Sequence, residues 1–380
     1  MIRIIVACLC LGASSASLAD LKPEPIRQVQ TLPEQYPAHW IIAQDAAFFH
    51  MSDGKFIVLD ADRDSISEQY KGMFNGAQIA QFAQAHSRPE MYVVQTFHSL
   101  GHRGVRNDVL SVYDKRTLAP LADIVVPPKR ASILPTQYAL QLVDDEKLAL
   151  IFNFTPATTV SVVDLDKREF LNEVPIPGCA LIYPTGKRGF SSLCSEGTFL
   201  TVALDDAGGV ASSTRSKQFF NADVDAVFEK PAIQGRNANF LTFKGRVIPV
   251  DLSGDLPVIG ESWSLPEIEA GNWRPGGLTP AVMSANGKMY VLMHAEGKTD
   301  THKDPGTEVW VFDPRTHKRE RQIELALPAV SIELTRDTNP LLVVTTIEMN
   351  IDVYDANKGT KLRTISDFGQ ETPLLLHGAH

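Results

Sequence analysis

The stretch Leu110-Ser111-Val112-Tyr113-Asp114 is a short β-rich run that stops at an aspartate and gives way to a polar turn, Lys115-Arg116-Thr117. The same pattern returns as Phe56-Ile57-Val58-Leu59-Asp60, Val160-Ser161-Val162-Val163-Asp164, Thr201-Val202-Ala203-Leu204-Asp205, Val247-Ile248-Pro249-Val250-Asp251, Val309-Trp310-Val311-Phe312-Asp313 and Ile351-Asp352-Val353-Tyr354-Asp355. From one aspartate to the next the period runs from 41 to 62 residues. Aspartate suits this place because its short carboxylate reaches the backbone N–H groups of the turn that follows. Each run is preceded by another, such as Met91-Tyr92-Val93-Val94 or Met289-Tyr290-Val291-Leu292-Met293. A further short strand comes before that, as in Tyr138 to Val143 ahead of Asp144-Asp145-Glu146. Repetition of a four-stranded antiparallel meander at this spacing predicts an all-β chain, a seven-bladed β-propeller of four-stranded blades. A residue that recurs in every unit marks turn geometry and not catalysis.

The rest of the composition agrees with one large folded domain. The chain has 380 residues, 44% of them hydrophobic, and carries 36 Lys+Arg against 45 Asp+Glu for a formal charge of −9. That balance argues against a nucleic-acid partner. No Gly/Ser run, Pro tract or charge block interrupts residues 40 to 370, so residues 39–380 are assigned to the propeller. Residues 20–38, with Pro23, Pro25, Pro33 and Pro37, read as an irregular N-terminal arm. Residues 1–19 read as a signal peptide: Arg3 is the basic start, Ile4 to Gly12 the apolar segment, and Ser17-Leu18-Ala19 the cleavage site, after Ala19. Its removal would leave a charge of −10. No later stretch approaches the ~20 apolar residues of a membrane span, so the expectation is an exported, soluble protein. Pro266 to Asn272 could hold a turn or two of helix, and how the ring closes stays open, with Thr372 to His377 a candidate strand beside the first blade.

Export decides how the cysteines are read. Cys8 and Cys10 leave with the signal, and Cys179 and Cys194 remain as a pair in an oxidising compartment. If Ile182-Tyr183 and Phe190-Ser191 flank a hairpin turning at Gly186-Lys187, Cys179 lies directly opposite Cys194, within bridging range. A metal or redox site would need a second ligand pair or a C-x-x-C spacing, and the chain has neither.

Several clusters hold residue types that could carry chemistry. His98-Ser99-Leu100-Gly101-His102 has the spacing of a metal-binding pair but lacks the glutamate of that motif and falls in a loop. His294 and His302 frame another loop without a third ligand. Arg103-Gly104-Val105-Arg106-Asn107-Asp108 reads as a surface Arg–Asp network that orders a loop, and Trp273-Arg274-Pro275-Gly276-Gly277 as a loop shaped either for a task or to pack a neighbour. There is no nucleophile elbow, phosphate loop or dinucleotide fingerprint. By itself the chain is poorly equipped for catalysis.

Those loops together carry a resemblance. Phe97-His98 through Arg103 to Asp108 and on to Val112-Tyr113-Asp114, the cysteine pair, Asn272 to Gly277, and His294 through Thr301-His302-Lys303 to Asp313 resemble the heavy subunit of the quinoprotein amine dehydrogenases. The similarity runs in order through the mature chain. Phe74-Asn75-Gly76, Arg215-Ser216-Lys217-Gln218, and Gly297-Lys298 followed by Thr301-His302-Lys303 are similar to the aromatic (aralkyl) amine dehydrogenase more than to the methylamine enzyme. The resemblance implies a periplasmic α2β2 enzyme that oxidises primary amines to aldehydes and ammonia and passes electrons to a blue-copper protein of the azurin or amicyanin type. It also implies that the cofactor, tryptophan tryptophylquinone, and the catalytic base sit on a separate light subunit, so that this chain holds no catalytic residue and no metal. One position carries over: Phe74, which matches the heavy-subunit phenylalanine of the substrate channel. Read from the residues alone, Phe74 is first a blade-packing side chain; the resemblance brings the channel role level with it. The alternatives are a methylamine dehydrogenase heavy chain and a free-standing periplasmic propeller, either a binding scaffold or a lactonase-type hydrolase.

Overall fold

Runs such as Met289 to Met293 are buried at every residue, on both faces, because each sheet lies between two others. That is the environment of stacked sheets some 10 Å apart, and it explains why the strands read as continuous apolar stretches where a half-exposed sheet would alternate. The computed structural model describes residues 31–77, 79–369 and 371–380. The expected signal peptide, residues 1–19, and residues 20–30 of the expected arm lie outside the described residues. Of the arm's remainder, Leu32 donates its N–H to the Arg116 carbonyl and the Tyr36 hydroxyl donates to the Lys115 carbonyl.

The chain is all-β, with antiparallel strands of mostly 4 to 9 residues joined by tight turns. Six of the seven recurring aspartates end a strand and Asp205 directly follows one, and all seven accept N–H bonds from the turn beyond. Asp114 takes those of Arg116 and Thr117 at 2.9 and 2.7 Å, and Asp355 those of Asn357 and Lys358, both at 2.9 Å.

The number of blades differs from the expectation. The β-propeller has five blades with four-stranded paths, not seven. Two short strands at the edge of one of them, Val258–Ile259 and Trp263–Ser264, share a single neighbour. The remaining strands, from Arg274–Pro275 to Lys361–Ile365, form one continuous eight-stranded sheet. The physical reason is the strand Lys318–Leu334: it runs 17 residues without a break, pairing with Gly306–Asp313 along its first part and Leu341–Thr346 along its second. No turn separates the two groups: the strand carries on from one to the other through register shifts around Ala329. This sheet folds on itself, with Val309 and Val311 in one cluster with Leu342 and Val344. Residues 266–272, a candidate helical turn in the sequence, hold no helix; the short helices are Phe48–Asp53, Ile66–Gln69 and Thr301–Lys303.

The first sheet answers how the ring closes. Pro373–Gly378 pairs with Trp40–Asp45, setting His377 opposite Ile42 and Leu376 opposite Ala43. Asp45 fastens the join by accepting N–H bonds from Glu371 and Thr372, each at 2.9 Å.

Candidate functional site

Antiparallel alternation sorts the loops onto two ends. The Asp turns lie at one end, here called lower. Loops joining second to third strands, and those leading from one sheet to the next, lie at the upper end. Much of the exposed apolar surface is found there: Phe49 and Ile133 are each 78% exposed, Val105 69%, Val224 62%, Phe154 58% and Leu100 57%. Every one of these residues is on an upper loop. Such a concentration on one face of a protein this acidic marks an interaction surface and not a solvated one.

A chamber of about 1140 Å³ opens on that face, with Ile133, Phe154 and Val224 on its wall. Its walls come from the loops around Ser132, Val224, Lys244, Leu278 and Thr299, with Phe152, Phe154, Leu181 and Phe243 among the apolar lining. Lys230, Lys244, Lys298, Lys303 and Arg274 share it with Asp223, Asp225, Glu229 and Asp300. A smaller chamber of about 520 Å³ opens on the lower end, lined by Gln84, Tyr138, Glu333, Arg336, His377 and His380 among others. Burial pushes the Glu333 carboxyl up to about 7, and pushes His377 down to about 4.

The candidate residues of the sequence do not converge on one centre. Phe74 is 3% exposed and stacks on Phe56 with ring centroids 4.9 Å apart and planes 9° from parallel. Phe82 and Tyr113 complete the cluster between the first two sheets. Phe74 sits near the upper end of its strand, Tyr70–Gly76, two residues before Gly76 pairs with Gly54 beside the Phe48–Asp53 turn. Cys179 and Cys194 face each other in register and form a disulfide across the hairpin.

Arg106 and Asp108 are not the surface network expected of them. Asp108 is 1% exposed and is held by Arg106 at 2.7 Å and by the Thr96 hydroxyl at 2.8 Å, with Arg130 on Thr96 in turn. His98 and His102 belong to a tight upper loop closed by an isolated bridge from His98 to Gly101. His294 is buried, its Nε2 beside the Thr301 hydroxyl at 2.9 Å, and burial lowers its pKa; His302 faces the upper chamber instead. Among the described residues no group of three or more His, Cys, Asp or Glu side chains is placed to hold a metal ion.

In the Trp273 loop, a Cβ on Gly276 would stand 2.6 Å from the Asp304 carbonyl, and one on Gly277, whose φ is +92°, 2.6 Å from the Val330 carbonyl. This loop is thus shaped to pack its neighbours closely. Sequence reasoning missed Glu333 and Lys230. A charge in the apolar run Ser331-Ile332-Glu333-Leu334 was the available signal for the first, while the second, in a long loop, left none.

Comparison with solved structures places the chain in a class by fold alone. It matches a putative 6-phosphogluconolactonase from Bacteroides fragilis with a TM-score of 0.57 and 11% identity, over 93% of this chain and 98% of that one. It matches a dihydro-heme d1 dehydrogenase with a TM-score of 0.53 and 12% identity, over 94% of this chain and 79% of that one. Sequence comparison is more specific. A family model described as methylamine dehydrogenase heavy chain (MADH) matches residues 37–377. The methylamine dehydrogenase heavy chain of Methylophilus methylotrophus is 27% identical over 98% of this chain and 94% of its own length; that of Paracoccus versutus is 27% identical over 88% and 78%. The chain belongs to the methylamine dehydrogenase heavy chain family, and it is the heavy subunit of an amine dehydrogenase, an oxidoreductase complex.

Proposed function

We propose that this chain is the scaffolding subunit of an exported, periplasmic amine dehydrogenase that converts primary arylalkyl amines to aldehydes and ammonia. The single observation that carries the scaffolding role is the gathering of exposed apolar loops around an open chamber on the upper end. A surface of that kind is stable in water when a partner covers it. The partner is a light subunit, in an α2β2 assembly, bearing tryptophan tryptophylquinone.

The residues of this chain do not fit that group themselves. Trp273 and Trp310, whose rings are 5.2 Å apart, belong to one apolar cluster with Trp263, and Arg319 lies over the Trp310 ring at 4.2 Å; Trp40 belongs to another cluster. When bound on the light subunit, the quinone supplies the oxidising chemistry, and a blue-copper protein such as azurin accepts the electrons. The work left to this chain is to seat the light subunit, keep water from the amine and shape the channel wall.

Phe74 is the channel residue in this reading. Support comes from its place near the upper end of its strand, next to Met73, which is 50% exposed. The ring would set the width available to an aryl side chain by van der Waals fit. Phe74→Ala is expected to change the ratio of methylamine to phenylethylamine turnover, and an unchanged ratio returns Phe74 to packing alone. Wild-type preference for methylamine over tyramine and phenylethylamine would favour the second reading, which the names of the relatives support. Purification of the native protein should bring down a small subunit with quinone absorbance; a colourless chain alone overturns the proposal.

A further inference from the structure

Lys230 stands in the loop between Val210–Arg215 and Ala232–Gln234, on the wall of the upper chamber. Its backbone is held on both sides. The Tyr183 hydroxyl donates to the Glu229 carbonyl at 2.7 Å and the Tyr138 hydroxyl donates to the Pro231 carbonyl at 2.9 Å. Tyr183 comes from the strand Cys179–Pro184 of another sheet and Tyr138 from the turn that leads into Leu140–Val143, and their rings lie 5.3 Å apart. A loop residue clamped at each neighbouring peptide does not wander. Its side chain nonetheless has no hydrogen-bond or ion-pair partner among the described residues.

The surroundings are unusual for a lysine. Phe152, Phe154, Leu181, Val227, Phe228 and Phe243 line the same chamber. Lys303 brings a second positive charge to bear on Lys230, and Glu229 partly offsets it. Desolvation and the Lys303 charge lower the pKa of the Lys230 amine. An amine carried on a fixed backbone, desolvated against apolar side chains and next to another cation, is the arrangement by which lysines become nucleophiles toward carbonyl groups.

We propose that Lys230 captures aldehydes that enter the upper chamber, as a reversible imine. The unprotonated amine adds to the aldehyde carbon, a C–N bond forms, and the carbonyl oxygen departs as water carrying both amine protons. No electrons change hands, and hydrolysis reverses the step. The apolar walls favour an aldehyde with an aryl or long alkyl body. The choice of an aldehyde rests on the amine-oxidising function proposed above; the reactivity of the lysine does not. Such a site would hold a reactive product inside the assembly.

The test is reductive trapping on the native enzyme. With benzaldehyde and cyanoborohydride, the imine is reduced to a stable benzylamine, and peptide mass spectrometry reads the rate at each lysine. Lys230 is expected to be modified at least ~10-fold faster than the exposed Lys217. Lys230→Arg should remove that adduct without moving it to Lys303. Modification of Lys230 no faster than Lys217 overturns the proposal. Amine turnover without a Lys230 adduct also overturns it, while leaving the enzyme assignment standing; a Lys230 adduct in a protein that turns over no amine does the reverse.

Discussion

At the residue scale, Glu333 is the most exacting position. It stands on the channel side of the long strand, accepts the Leu334 N–H at 2.8 Å, and has no ion pair within reach among the described residues. Burial raises its pKa from 4.5 to about 7, so its contribution to stability is full below pH 4.5 and lost as pH rises through 7. Glu333→Gln should therefore raise the thermal midpoint at pH 8 and change little at pH 4.5, by about 1 kcal/mol once channel water is allowed for. An equal effect at both pH values would mean that the carboxyl titrates normally. His377 limits the other side. Its pKa falls from 6.5 to about 4, so the stability it brings is present above 6.5 and lost as pH falls toward 4. Phe74 is a different case at this scale. Removal of a 3%-exposed aromatic from a stacked cluster should cost about 3–5 kcal/mol in denaturant melts, whatever its part in the channel.

At the scale of the element, the hairpin Cys179–Pro184 and Gly189–Cys194 shows what local pattern can and cannot specify. The disulfide closes a loop of sequence separation 15, and Cys179→Ser with Cys194→Ser should lower stability by about 3 kcal/mol against the disulfide-bonded wild type in urea melts. Equal midpoints for the two would show that the blade's packing alone holds the hairpin. The facing cysteines were legible from a hairpin turn near Gly186-Lys187, but the register near the turn was not: Tyr183 faces Ser191, one residue off the register that joins Cys179 to Cys194, with the shift between Ala180 and Tyr183. The Asp turns were legible for a similar reason, since carboxylate and N–H partners lie within a few residues. The strand Lys318–Leu334 was not. Its two parts each resemble an ordinary strand, and whether a turn intervenes near Leu327-Pro328-Ala329 depends on what both flanks pair with.

For the whole molecule, stability depends on a contact between the two ends of the ring. Pro373–Gly378 pairs with Trp40–Asp45 and is tied to the eight-stranded sheet by Ser331, whose hydroxyl donates to the Leu374 carbonyl at 2.5 Å, and by Thr345, which donates to the Pro373 carbonyl at 2.9 Å. Truncation before Pro373 would bare the inner edge of the first sheet and, by removing Leu376, open the apolar cluster that holds Ile41, Ala43 and Val343. Such a protein is expected to lose cooperative thermal unfolding and to aggregate through its open edge. A truncated chain that keeps the full-length midpoint would show that closure is dispensable.

The all-β class, the repeating aspartate turn, the facing cysteines and the family followed from the residues in order, because each rests on neighbours in sequence or on a pattern that repeats along it. The number of separate sheets, the burial of Asp108, the chamber around Lys230 and the raised pKa of Glu333 were decided only in three dimensions. Each of them arises where residues from different repeats meet: a long strand serving two groups, a loop clamped by tyrosines of two other repeats, a carboxyl enclosed by the inner strands of the ring. Desolvation and contact of that kind are set by what surrounds a residue in space, and the strand that carries it holds no record of them.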